Sequence, residues 1–156
     1  MTTLDPARVH VTPADAEKLS FLGMDLYWLI TREMSDGAFA QFLHVSPPGT
    51  GVPMHVHHAE PESMYVIEGE VVARLGDRTV TCHPGDALML PQAVPHGWRV
   101  AGDAPARLHF TVHLAPDTDW ETMFRGLVGL APTDLDAIKT LAARNRIDFF
   151  DPPEMP

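Results

Sequence analysis

Two histidines one residue apart, followed by a glutamate, form the chemically most informative part of this chain. His55, His57 and Glu62 lie in residues 49–69, which read GTGVPMHVHHAEPESMYVIEG. On a strand, residues two apart point to the same face, so His55 and His57 can present two imidazoles to one point. A turn containing Pro61 returns the chain, and Glu62 opens the next strand. Two imidazoles and one carboxylate on adjacent strands make a facial triad with its opposite side open to water or substrate. His96, after Pro91 and Pro95, is the best candidate for a fourth ligand. Glu60 competes with Glu62 for the carboxylate position, being only two residues earlier across Pro61.

Strands are needed to hold such a triad, and the chain is punctuated for them. Its 156 residues contain 15 Pro and 11 Gly, mostly between short apolar runs. Candidate strands are Met24–Ile30, Phe39–Val45, Met54–His57, Ser63–Ile67, Val71–Leu75, Thr79–Cys82, Ala87–Leu90, Gly97–Val100 and Arg107–Leu114. This spacing suits an all-β sandwich or barrel. Gly69 and Gly76 fall where hairpins need positive φ. The last forty residues read differently. Asp119 can cap a helix over Trp120–Val128. Thr133 can cap a second helix carrying Leu135, Ile138, Leu141 and Ala142 at helical spacing, and Ile147–Phe150 suits a short edge strand. The division is an N-terminal arm over 1–23, a β-barrel over 24–114, and a helical extension over 115–156 packed on the barrel.

The spacing of these residues resembles the cupin superfamily. Its first motif reads Gly, five residues, His, one, His, three or four, Glu, six, Gly. Gly49, His55, His57, Glu62 and Gly69 match it without a gap. In the second motif Gly85, Pro91 and His96 match, while Ala93 replaces a Gly and Val100 an Asn. The resemblance implies a double-stranded β-helix, or jelly roll, with a short C-terminal helical tail. It implies one divalent metal ion per chain, held by His55, His57, Glu62 and His96. It also implies a homodimer. The tail is similar to that of bacterial single-domain cupins described as flavonol (quercetin) 2,3-dioxygenase-like.

Strand alternation places Met64 and Val66 on the face of Glu62, and Trp98 on that of His96. These three are candidate walls of an apolar substrate pocket. His58 alternates with His57 and is expected to point away. His109 and His113 share one face of a late strand, from which one could enter the pocket. His83, beside Cys82, has nothing around it to complete a triad, and His10 and His44 carry no signal.

Charge and cysteine content limit the partners. Eleven Lys and Arg against 21 Asp and Glu leave a net charge of −10. That balance argues against binding nucleic acid or an anionic membrane. One cysteine cannot form an internal disulfide, and neither a secretory signal nor an apolar bilayer-spanning stretch is seen. A cytoplasmic protein acting on a small molecule is expected. The leading expectation is a dioxygenase, with Fe(II) ahead of Mn, Ni, Cu or Zn, in which Glu62 is the catalytic base toward a flavonol-like or otherwise enolisable aromatic substrate. The alternatives are a non-redox metal-dependent cyclase, isomerase or lyase using the same ligands, and a cupin that binds a small molecule without turnover.

Overall fold

The computed structural model describes residues 9–156. Residues 1–8 of the N-terminal arm lie outside the described residues. Among the described residues eleven strands form two antiparallel sheets. The six-stranded sheet has the order β1 (Lys18–Phe21), β2 (Met24–Ile30), β3 (Phe39–Ser46), β10 (Ala106–His113), β5 (Glu62–Glu68), β8 (Ala87–Leu90). The five-stranded sheet has the order β11 (Ile147–Phe149), β4 (Gly51–His57), β9 (His96–Ala101), β6 (Glu70–Leu75), β7 (Arg78–Cys82). This is the jelly-roll sandwich, with two short C-terminal helices added. No helix among the described residues is long and apolar enough to cross a membrane.

Alternation builds the core between the sheets. Leu108, Phe110 and Val112 of β10 point inward and are buried, while His109 and His113 between and beyond them do not. Phe42 of β3 stacks on Phe110 with ring centroids 5.4 Å apart. Gly69 joins β5 to β6 at φ +83°, and a Cβ there would lie 2.7 Å from the Ala106 Cα, so both backbone angle and space demand glycine. One strand was not foreseen: β1, inside the expected arm, pairs with β2 from Lys18↔Tyr27 to Phe21↔Met24. Its Lys-Leu-Ser-Phe does alternate, with Leu19 and Phe21 buried, but four residues are too few to mark a strand on their own.

The C-terminal extension closes one end of the sandwich. Asp119 caps helix α1 (Trp120–Leu127) by accepting from the Thr122 N–H at 2.9 Å. Trp120, Met123, Phe124 and Leu127 form its buried face. The loop before it is clamped by Arg32, whose guanidinium donates to the carbonyls of Ala115 and Thr118 at 2.7 and 2.8 Å. Helix α2 (Leu135–Ala143) starts after Asp134, one residue beyond the expected cap at Thr133. Strand β11 then pairs with β4, setting Ile147 against His57 and Phe149 against His55. The tail continues along β4, where the Met54 N–H donates to the Glu154 carbonyl at 2.7 Å.

Candidate metal centre and cavity

Three histidines converge between the sheets. His55 and His57 alternate along β4, and His96 is the cross-strand partner of His55 on β9. All three are buried, and one ring nitrogen from each lies within 4.8 Å of the others. Glu62 approaches from the facing sheet and not from a neighbouring strand. The Pro61 turn carries the chain across the sandwich, so β5 pairs with β10 and β8, not with β4. A Glu62 oxygen lies 4.0 Å from His57 Nδ1 and 3.8 Å from His96 Nε2.

Backbone carbonyls orient two of the rings. His55 Nδ1 lies 2.8 Å from the Pro53 carbonyl, and His96 Nδ1 lies 2.9 Å from the Val94 carbonyl. A carbonyl can only accept, so each Nδ1 carries the proton and each Nε2 is left with its lone pair. His96 Nε2 and His57 Nδ1 are buried with no hydrogen-bond partner among the described residues. Such atoms cost about 1–3 kcal/mol each when nothing satisfies them.

Burial sets the charge state of the cluster. It pulls His55 down to about 3, helped by His96 and opposed by the Pro53 hydrogen bond. It pulls His57 well below the ordinary histidine value, with His55, His96 and His58 adding to the effect, and it lowers His96 as well. It pushes the Glu62 carboxyl up to about 8, reinforced by the negative charge of Glu60. Neutral imidazoles with lone pairs beside a carboxyl form a donor set suited to a divalent cation, which would supply the missing positive charge. The orphaned nitrogens and this chemistry fit a metal held by His55, His57, His96 and Glu62.

The cluster opens into a cavity of about 430 Å³. His55, His57 and Glu62 lie in its wall, and Glu62 is the one carboxylate there among the described residues. Otherwise the wall is largely aromatic and aliphatic, drawn from both sheets, both helices and the C-terminal segment. Trp98 lines it. Met64 and Val66 sit instead in the packed core outside that lining. Alternation identifies the face of β5, but not which inward side chains the cavity reaches.

The remaining candidates lie elsewhere. Glu60 is buried and accepts from the Ala115 N–H at 2.8 Å, from the Thr118 hydroxyl, and from Trp120 Nε1 at 2.5 Å. It is an anchor for the C-terminal extension. His58 points outward to Asp148 at 3.0 Å, and His109 and His113 face away from the cavity. His83 is exposed beside Glu70 and Asp86, while Cys82 is buried and reduced. His44, without any signal in the sequence, lines the cavity.

Comparison with known proteins agrees with this geometry. The Cupin domain family matches residues 42–113, covering the His–His–Glu strands and His96. The chain belongs to the cupin superfamily. This cupin is 34% identical over 96 residues to polyketide synthase CurC of Streptomyces cyaneus, a match covering 60% of each chain. It has the same identity to protein SchB of Streptomyces halstedii, covering 60% of this chain and 67% of that one. It is also 34% identical over 85 residues to tetracenomycin polyketide synthase protein TcmJ of Streptomyces glaucescens, covering 53% and 57%. The match thus spans about three fifths of the length of these relatives.

Many solved structures share the fold, two of which illustrate it. One is a predicted oxalate decarboxylase from Thermotoga maritima, with TM-score 0.61 and 21% identity, covering 67% of this chain and 98% of that one. The other is the polyketide cyclase RemF from Streptomyces resistomycificus, with TM-score 0.57 and 24% identity, covering 66% and 77%.

Proposed function

We propose that this cupin is a metal-dependent cyclase that closes rings in an enolisable, poly-carbonyl substrate of the polyketide type. The observation that carries the reading is the placement of Glu62, the single carboxylate among the described residues in the wall of an aromatic cavity, against His57 and His96. The similarity to polyketide synthase proteins supports the substrate class. The oxygenase expectation draws on the same four ligands, and the relatives named above do not support it.

His55, His57, His96 and Glu62 would hold the metal, which when bound polarises a substrate carbonyl. The chain's own groups account for the rest. The aromatic wall excludes water and folds the substrate against the cluster. Glu62, ionised once a cation offsets its burial, takes the proton from a carbon between two carbonyls. The carbanion pair forms the new carbon–carbon bond at another carbonyl carbon, whose π pair moves to its oxygen. That oxygen takes the proton that Glu62 holds, and loss of one water then leaves the closed ring unsaturated. The sequence needs no oxidant. The test is conversion of a poly-β-ketone by the zinc-loaded protein and by Glu62→Gln. A loss of at least about 100-fold in the variant, with its fold and its zinc content intact, is expected of a general base. Equal conversion by both proteins would overturn the reading.

A further inference from the structure

Strand β3 carries a histidine that the metal cluster does not use. Ala40, Phe42, His44 and Ser46 alternate onto its inner face, all buried. His44 is in register with Leu26 on β2 and Leu108 on β10, and it lines the cavity that holds His55, His57 and Glu62. Rings from five elements meet it edge-on: Phe21, Phe42, Trp98, Phe110 and Phe124, with centroids 5.5–6.2 Å away. His44 Nδ1 is buried and has no hydrogen-bond partner among the described residues.

Packing does not account for this residue. A phenylalanine would fill similar volume among these rings without stranding a polar atom, which costs about 1–3 kcal/mol. The open space beside His44 is the cavity itself. Burial also pulls its ionisation down to about 3, so the ring is neutral near pH 7, with one nitrogen donating and one accepting. A ring of this kind pairs with an uncharged hydroxyl or carbonyl and repels no part of an aromatic ligand.

We infer that His44 is the polar anchor of the cavity, hydrogen-bonding a neutral hydroxyl or carbonyl on an aromatic ring packed among Phe42, Trp98, Phe110 and Phe124. It thereby selects which part of the substrate faces Glu62. The inference rests on the reading of this cavity as the substrate site. His44 sets orientation and specificity, and the proton of the reaction stays with Glu62.

The test uses two probes of similar shape, 1-naphthol and 1-methylnaphthalene, titrated by fluorescence into the protein with and without Zn²⁺. Wild type is expected to prefer 1-naphthol about five- to tenfold in both states, the size of one net hydrogen bond. Measuring without metal removes any preference due to phenol–metal contact. His44→Phe is expected to bind both probes equally, and His44→Gln to recover part of the preference. A preference that survives in His44→Phe, or none in wild type while both probes bind, overturns the role of His44 and leaves the cavity reading standing. If neither probe binds protein that still loads Zn²⁺, the cavity reading fails and His44 falls with it. Should His44→Phe not fold, the ¹⁵N imidazole signals of wild-type His44 decide. They shift with 1-naphthol and not with 1-methylnaphthalene if the inference holds, and respond alike to both if it does not.

Discussion

Trp120 donates its indole N–H to the buried Glu60 carboxylate at 2.5 Å, and the same indole meets the His57 ring edge-on at 5.1 Å. One side chain of α1 therefore ties the helix to the turn after β4 and braces a candidate metal ligand. Glu60→Ala removes the acceptor for Trp120, Thr118 and the Ala115 N–H together. Loss of this buried network is expected to cost about 3 kcal/mol. The check is the urea unfolding midpoint, with Zn²⁺ affinity measured alongside. A cost under about 1 kcal/mol would show that the extension docks without Glu60.

His57→Ala and His96→Ala each remove a nitrogen from the three-histidine cluster. Changes to groups that merely support a metal ligand cost 10–100-fold in affinity, so losing a ligand is expected to cost more than about 100-fold. The fold should survive, because most of the apolar core between the sheets packs without the three imidazoles. Metal content by mass spectrometry and far-UV circular dichroism test the two halves of this expectation. Unfolding of both variants would make the metal structural.

Ala93 sits at φ +63° in the loop leading to His96, where the cupin motif has glycine. A left-handed non-glycine residue costs about 1–2 kcal/mol. Glycine restores about 0.4–1 kcal/mol of unfolded-chain entropy to the cost side. Ala93→Gly is therefore expected to stabilise the protein by about 0.5–1 kcal/mol, read as a higher urea midpoint at unchanged slope. A lower midpoint would mean that the Ala93 methyl makes a compensating contact.

The His44 ring gives stability a pH dependence of known sign. Its ionisation is near 3 when folded, against the ordinary 6.5, and the rings around it carry no charge. Below pH 6.5 the unfolded chain takes up a proton that the folded chain refuses until about pH 3. The stability due to the neutral ring is thus complete above 6.5 and is lost as pH falls toward 3. From pH 7 to 5 the loss is about 2 kcal/mol more for wild type than for His44→Phe. Superimposable pH profiles of the two proteins would contradict this.

Local patterns made much of this architecture legible. β2 and β8 coincide with the expected Met24–Ile30 and Ala87–Leu90, because each is a short, mostly apolar run bounded by turn residues. Gly69 and Gly76 have the positive φ their turns require. His55, His57 and Glu62 are near one another in sequence, so spacing alone suggested their meeting. His44 and Glu60 were not legible because their surroundings come from distant elements. The rings around His44 span Phe21 to Phe124, and the donors to Glu60 lie 55–60 residues later. The roofing of the cavity by α1, α2 and β11 is likewise a tertiary outcome, invisible in any one segment.

Mass change on turnover tests the central claim most directly. Zinc-loaded protein is incubated with a poly-β-ketone under strict exclusion of oxygen, and in parallel under ¹⁸O₂. A cyclase yields the same product in both, lighter than substrate by the mass of water and free of ¹⁸O, and Glu62→Gln loses it. Product formed only with oxygen, heavier than substrate and carrying ¹⁸O, would contradict the account and return the oxygenase reading to first place.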